Sequence, residues 1–156
     1  MPSWPTDGIS IIIPAYNEEK VIGEVIQELK NALLEKGVNF EIIVVNDGST
    51  DKTAEAAATA GARVARHPYN QGYGVAAKSG VSEAKYGWLA FYDGDGQHTP
   101  ESLISLLPFI SDYHMVVGAR AGYQGPAIRQ PGKKLLQWIA NYLSDVKIPD
   151  INSGLR

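Results

Sequence analysis

The chain has 156 residues, of which 44% are hydrophobic and 20% charged, with a formal net charge of -3 and no cysteine. That size buries a core without covalent staples, and that composition excludes a disordered or fibrous chain. The slightly acidic balance argues against a nucleic-acid partner, while the lack of cysteine rules out a disulfide framework or thiolate metal site and fits a reducing, cytoplasmic setting.

Strand-length apolar runs alternate with segments of helical period, the pattern of an α/β fold with a mostly parallel sheet covered by helices on both faces. The first residues carry no basic stretch followed by an apolar one, so no secretory signal is expected. Residues 9–13 form the first predicted strand. A helix is predicted over 18–36, where Val21, Ile22, Val25, Ile26, Leu29 and Leu33 recur at three- and four-residue steps and Gly37 stops the run. The second strand is predicted at 41–45 and the second helix at 51–60, with Ser49 or Thr50 as its cap and Gly61 at its end. A short strand at 63–66, a helix over 73–84 and a strand at 88–92 follow. Pro100 after Thr99 marks the start of a fourth helix whose Leu103, Leu106 and Leu107 face the core. A fifth strand is expected at 115–118, an irregular Gly/Pro-rich loop at 121–132 and a helix over 133–144. No repeat or linker suggests a second domain, so 1–156 is read as one. No apolar run approaches the roughly 20 residues that span a bilayer.

In open parallel sheets, ligands bind beyond the carboxyl ends of the strands. The polar segments follow those ends: Pro14, Tyr16, Asn17 and Glu18 after the first strand, Asp47 and Ser49 after the second, Asp93 to His98 after the fourth and Arg120 after the fifth. Asp93 and Asp95 flank a glycine, so two hard oxygen donors leave the sheet together. They suit a divalent cation that completes its shell with water and substrate phosphates, with Gln97 as a further oxygen. The same residues are also the commonest turn formers, and both readings stand at this level. Asp47 could accept hydrogen bonds from a base or ribose, or simply precede a helix; Asp51 reads as a first-turn charge. Tyr16 offers a ring to a nucleoside. Glu18 could bind a hydroxyl or favour the helix start. His67, His98 and His114 have no metal-ligand spacing, and lone histidines are more often surface or core residues. Gly-x-Ser-x-Gly is absent, and Gly72-Tyr73-Gly74 matches the dinucleotide fingerprint weakly.

Taken in order, Ile-Pro-Ala-Tyr-Asn-Glu (13–18), Val-Val-Asn-Asp-Gly-Ser-Thr-Asp (44–51), Asn-Gln-Gly-Tyr-Gly (70–74), Asp-Gly-Asp-Gly-Gln-His (93–98) and Asp-Ile-Asn-Ser-Gly-Leu-Arg (150–156) resemble family 2 glycosyltransferases of GT-A fold. Within the family the sequence is most similar to polyprenyl-phosphate sugar transferases such as dolichol-phosphate mannose synthases. The resemblance implies an inverting transfer of a sugar from a nucleotide-sugar donor, of the GDP-mannose or UDP-glucose type, to a lipid phosphate at a membrane surface. It implies that Pro14, Tyr16 and Glu18 line the nucleotide pocket and that Asp47 meets base or ribose. Asp93, Asp95 and Gln97 would meet Mg²⁺ or Mn²⁺ and the donor diphosphate, making Asp95 and Arg120 the catalytic pair. Arg120, Arg129, Lys133 and Lys134 become the candidates for the acceptor phosphate.

Two departures stand out. Arg129 is followed by Pro131, Gly132 and Lys133 rather than by a small polar residue one turn away, and family members ordinarily continue beyond the point where this chain stops, so a C-terminal truncation is expected. The location implied is cytoplasmic, peripheral at the cytoplasmic face of a membrane. Three rivals remain: transfer to a polysaccharide hydroxyl, which needs a base; a donor-binding piece without turnover; and a sugar nucleotidyltransferase.

Overall fold

The structure, a computed structural model, describes residues 7–118. Four strands and four helices alternate there: β1 (Ile9–Ala15), α1 (Ile22–Glu35), β2 (Phe40–Asn46), α2 (Thr53–Thr59), β3 (Arg63–Arg66), α3 (Tyr73–Glu83), β4 (Trp88–Phe91) and α4 (Pro100–Leu106), closed by a 3-10 turn (Leu107–Phe109). The strands lie in the order β3-β2-β1-β4 and every neighbouring pair is parallel, with Ile12 of β1 opposite both Ile43 and Phe91. The order reverses between β1 and β4, which opens a crevice above their carboxyl ends.

Period-two alternation explains why β1 and β2 read as unbroken apolar runs. Ile9, Ile11, Ile13 and Val44 face a core built with α1, α2 and α4, whereas Ile12, Ile43 and Val45 face Ala76 of α3. Helices therefore cover both faces, as expected. On α1, Ile22, Val25, Ile26, Leu29 and Leu33 are buried, each such side chain stabilising the fold by about 1.5–3 kcal/mol relative to exposure. Gly80 lets α3 lie close to the sheet, since a Cβ there would collide with Ile12 and stand 3.2 Å from Val45 Cγ2.

Three expectations are corrected. Helix α1 begins at Ile22 rather than at 18, because 18–21 forms a tight turn in which the N–H groups of Val21 and Ile22 both reach the Glu18 carbonyl. Helix α2 begins at Thr53 rather than at 51 and is not capped by Ser49 or Thr50; the Asp51 carboxylate accepts the Thr53 N–H at 3.0 Å instead. Residues 115–118 form no strand. An apolar groove of about 540 Å³ lies between β4, Leu103, Leu107 and Met115, and Met115 is 68% exposed. Apolar, β-branched composition favours a strand only where a neighbour supplies the ladder, and among the described residues this segment pairs with none. The remaining boundaries agree within a residue or two, and Pro100 opens α4 as predicted. The expected loop at 121–132, the helix at 133–144 and the full 1–156 domain extend outside the described residues.

At the amino ends of the strands a polar cluster ties the sheet to the α3–β4 connection. Ser10 Oγ donates to Glu41 Oε1 at 2.6 Å, the Lys85 N–H donates to the same oxygen at 2.5 Å, and Arg63 Nη2 reaches Glu41 Oε2 at 3.1 Å. The Tyr86 N–H closes the set on Ser10 Oγ at 3.0 Å. Burial works to raise the Glu41 pKa, but hydrogen bonds from Ser10, Lys85 and Arg63 outweigh it and hold the carboxyl below its ordinary 4.5. A depressed folded-state pKa contributes stability that is present above the unfolded value and lost as pH falls through the folded one. Glu41→Gln should therefore lower stability by about 1–3 kcal/mol at neutral pH. Thermal unfolding should show that gap shrinking below about pH 4, and an equal gap at both pH values would assign the loss to shape rather than charge.

Candidate functional site

Because the four strands are parallel, the connections that leave their carboxyl ends gather on one edge. Two of them brace each other. Asn17 adopts a left-handed conformation at φ 57°, so its side chain turns toward the β2–α2 loop, where Asn17 Oδ1 accepts the Thr50 N–H at 2.9 Å. In return Ser49 Oγ accepts the Asn17 N–H at 3.0 Å, Thr53 Oγ1 accepts that of Glu18 at 2.8 Å and Asp51 Oδ2 accepts that of Glu19 at 3.2 Å. Glu19 Oε2 completes the exchange by accepting the Lys52 N–H at 3.0 Å. These bonds satisfy the donors at the start of the α1 turn. Ser49, Thr50, Asp51 and Thr53 thus hold loops together.

Asp47 occupies the next position inward, with its side chain only 4% exposed. Its Oδ1 accepts the Gln71 N–H at 3.0 Å and meets His67 Nδ1 at 2.6 Å, while Oδ2 accepts the Gly72 N–H at 2.8 Å. Burial pushes the Asp47 pKa up, but the Gln71 N–H, the His67 ring and the Gly72 N–H together bring it below the usual carboxylate value, so Asp47 is an anion. Gly48 makes this possible. At φ 71° it presses against the Tyr69–Asn70 peptide, and a Cβ there would overlap those backbone atoms.

The result is a cavity of about 200 Å³. Pro14, Tyr16 and Asp47 line it together with Asn70, Gly72 and Tyr73, and the Asp47 carboxylate, expected to meet base or ribose, is taken up by His67, Gln71 and Gly72. Asn70, Gly72 and Tyr73 went unassigned from sequence, although the Asn-Gln-Gly-Tyr-Gly motif contained them; Gly72, at φ 90°, is the signal that could have found them. Tyr16 and Tyr73 are exposed, offering rings to an incoming planar group.

The β4 connection brings in the acidic pair. Gly94 packs beneath the end of β1, where a Cβ would stand 3.1 Å from Ile13 Cγ2 and 3.2 Å from Ile22 Cδ1. Asp93 and Asp95 therefore emerge beside the β1 loop. Asp93, 31% exposed, has His98 Nε2 at 3.4 Å from Oδ2, and Asp95 Oδ1 accepts the Gln97 N–H at 3.0 Å. The loop is pinned by Tyr92, whose buried hydroxyl donates to the His98 carbonyl at 2.5 Å and whose ring meets the His98 ring edge-on. Burial, with Glu28, Glu101 and the two aspartates adding negative charge nearby, pushes the Tyr92 hydroxyl well up and keeps it a donor.

Glu18 is not among the residues lining the cavity. Its pKa is raised by burial first, then by the charges of Asp95 and Asp51. The edge is thus acidic, with the recess of about 200 Å³ beside it. Among the described residues no three His, Cys, Asp or Glu side chains gather into a metal cage. Asp93 and Asp95, with the exposed Gln97, instead fit a hard cation that takes few protein oxygens and completes its shell with phosphate. Arg120, Arg129, Lys133 and Lys134 lie outside the described residues, and among the described residues no helix is long and apolar enough to cross a membrane.

Comparison with known proteins agrees with this geometry. Residues 10–150 match Glycosyl transferase family 2. The chain is 32% identical to the undecaprenyl-phosphate 4-deoxy-4-formamido-L-arabinose transferase of Pseudomonas aeruginosa, covering 100% of this chain and 48% of the relative. It is also 32% identical to the dolichol-phosphate mannosyltransferase of Pyrococcus furiosus, covering 92% of this chain and 42% of the relative. Among solved structures, glucosyl-3-phosphoglycerate synthase from Mycobacterium tuberculosis, crystallised with Mn²⁺, UDP-glucose and phosphoglyceric acid, superposes with a TM-score of 0.73 at 26% identity, over 96% of this chain and 55% of that one. The chain thus spans about half the length of the curated relatives it matches. Its four-stranded parallel sheet with helices on both faces is the GT-A fold, and the chain belongs to glycosyl transferase family 2.

Proposed function

We propose that this chain carries the donor half of an inverting glycosyltransferase that moves a sugar from a nucleoside diphosphate to a polyprenyl phosphate at a membrane surface. The observation that carries the reading is the meeting, on one sheet edge, of the Pro14–Tyr16–Asp47 recess with the Asp93–Asp95 pair. The nucleoside enters the recess against Tyr16 and Tyr73, and Asn70 and the loop held by Asp47 bound its polar edge. The donor diphosphate then extends toward Asp93 and Asp95. Two dianionic groups repel in an acidic field, so the donor comes with Mg²⁺ or Mn²⁺, held by Asp93 and Asp95 with Gln97. When bound, the ion neutralises the charge of the leaving diphosphate.

Chemically the proposed step is a single displacement. A phosphate oxygen of the lipid forms a bond to the anomeric carbon, the bond from that carbon to the diphosphate oxygen breaks, and its electron pair leaves with the nucleoside diphosphate. A phosphomonoester is already anionic near neutral pH, so its attack needs no proton removed from a hydroxyl. Arg120, followed by Arg129, Lys133 and Lys134, is the cation proposed to orient it. The lipid-phosphate acceptor is supported by the two transferases that are 32% identical to this chain over the aligned residues.

Two outcomes follow. Asp95→Ala should leave thermal unfolding near that of the parent, because Asp95 is exposed, yet calorimetry with UDP-glucose or GDP-mannose should show Mn²⁺-dependent affinity falling at least about tenfold, the loss of one charge-assisted contact; undiminished affinity would remove the aspartates from the metal site. With a polyprenyl phosphate acceptor, product analysis should find a nucleoside diphosphate and a lipid-linked sugar of inverted configuration. Pyrophosphate released from a nucleoside triphosphate would instead identify a nucleotidyltransferase.

A further inference from the structure

His67, like the other two histidines, carries no ligand spacing in the sequence, yet the structure places it between two elements of the site. It follows β3 directly, its N–H donates to the Asn46 carbonyl at 2.9 Å, and its side chain is 10% exposed. Nδ1 meets Asp47 Oδ1 at 2.6 Å and Nε2 meets Ser79 Oγ of α3 at 2.9 Å. The ring lines a separate groove with Arg63, Arg66 and Ser79, and is not among the residues lining the Tyr16–Asp47 recess. Any effect it has on a nucleoside passes through Asp47.

We propose that His67 is a positioning residue of the donor pocket, fixing the Asp47 carboxylate so that the Gln71 and Gly72 N–H groups hold the recess in its binding shape. The argument rests on the reading of that recess as the nucleoside site. The two backbone N–H groups take one Asp47 oxygen each, and His67 Nδ1 meets the oxygen that takes the Gln71 N–H, which fixes the carboxylate between them. Because Nδ1 faces a carboxylate, it carries a proton toward Asp47, while Nε2 on the far side of the ring meets the Ser79 hydroxyl. Ser79 thereby fixes the ring to α3, the same helix whose first residues, Tyr73 and Ala76, complete the recess. One chain of contacts thus links the β2 loop, the β3 loop and the body of α3.

The sequence Asp47, His67, Ser79 has the order of a nucleophilic relay, but Ser79 stands inside α3, where neighbouring N–H groups are taken by the helix rather than aimed at an oxyanion. Orientation is the role that the surroundings support.

The test compares the 156-residue chain with His67→Asn, His67→Phe and Ser79→Ala, using UDP and GDP with Mn²⁺ in calorimetry at a temperature well below unfolding. Asparagine places its amide nitrogen where Nδ1 stands and keeps the donor to Asp47; phenylalanine keeps the ring and loses it. The parent chain should bind one of the two nucleotides, His67→Phe should bind it about tenfold more weakly, and His67→Asn should recover most of that loss. Should His67→Phe not fold, Ser79→Ala carries the test, with a weakening of about threefold expected. Equal binding by parent and variants, with unfolding temperature alone lowered, would make His67 a purely structural residue and overturn the proposal. So would equal losses in His67→Asn and His67→Phe. A parent chain that binds neither nucleotide would overturn the reading of the recess itself, and this inference with it.

Discussion

Asp47 accepts three hydrogen bonds from groups 20, 24 and 25 positions further along the chain, and the shape of the ligand-facing edge depends on that convergence. A buried carboxylate is costly unless its lone pairs are filled. Here the cost is offset by drawing the β3–α3 connection back over the end of β2, where the glycine at 48 admits the Tyr69–Asn70 backbone. The recess exists because the carboxylate demands partners. The Asn17 exchange performs the same service between the β1 and β2 loops, and Tyr92 does so for the β4 loop, so the connections on that edge are held by side chains rather than by regular structure.

This division explains what could be read from the sequence. β1 and β2 were legible because burial on both faces leaves a continuous apolar run, and α1 was legible from its period. Its start was not, since the N–H groups of Glu18 and Glu19 are satisfied by Thr53 and Asp51, more than thirty positions away, and no local pattern records such a bond. The strand expected at 115–118 failed for the complementary reason: apolar composition is local, but a ladder needs a neighbour. At the site, Pro14, Tyr16 and Asp47 were found because they directly follow or end strands. His67 was passed over because a lone histidine carries no spacing signal, and Asn70 and Gly72 because their part in the pocket comes from being folded back by Asp47.

The electrostatics of the edge give the fold its chemical bias. Burial raises the Glu18 pKa, and Asp95 and Asp51 lie near enough to push it further in the same direction. Such a field repels a diphosphate. For the proposed donor a cation would stand between the two sets of charge, with Asp93 and Asp95 as its candidate ligands. Tyr92, buried beneath them and bonded to the His98 carbonyl, ties that loop to the end of β4. In the proposed function the recess and the acidic loop are two halves of one donor site, one shaped by the Asp47 bonds and the other charged.

The proposed donor site requires nucleotide and cation to bind this edge together. Thermal unfolding of the chain with UDP or GDP, with Mn²⁺, and with both tests it directly, because a ligand that binds the native state alone raises the unfolding temperature by mass action. A shift that appears with one nucleotide only in the presence of Mn²⁺ is the predicted result. The same shift from nucleotide without any divalent cation, or no shift under any combination, would contradict the account.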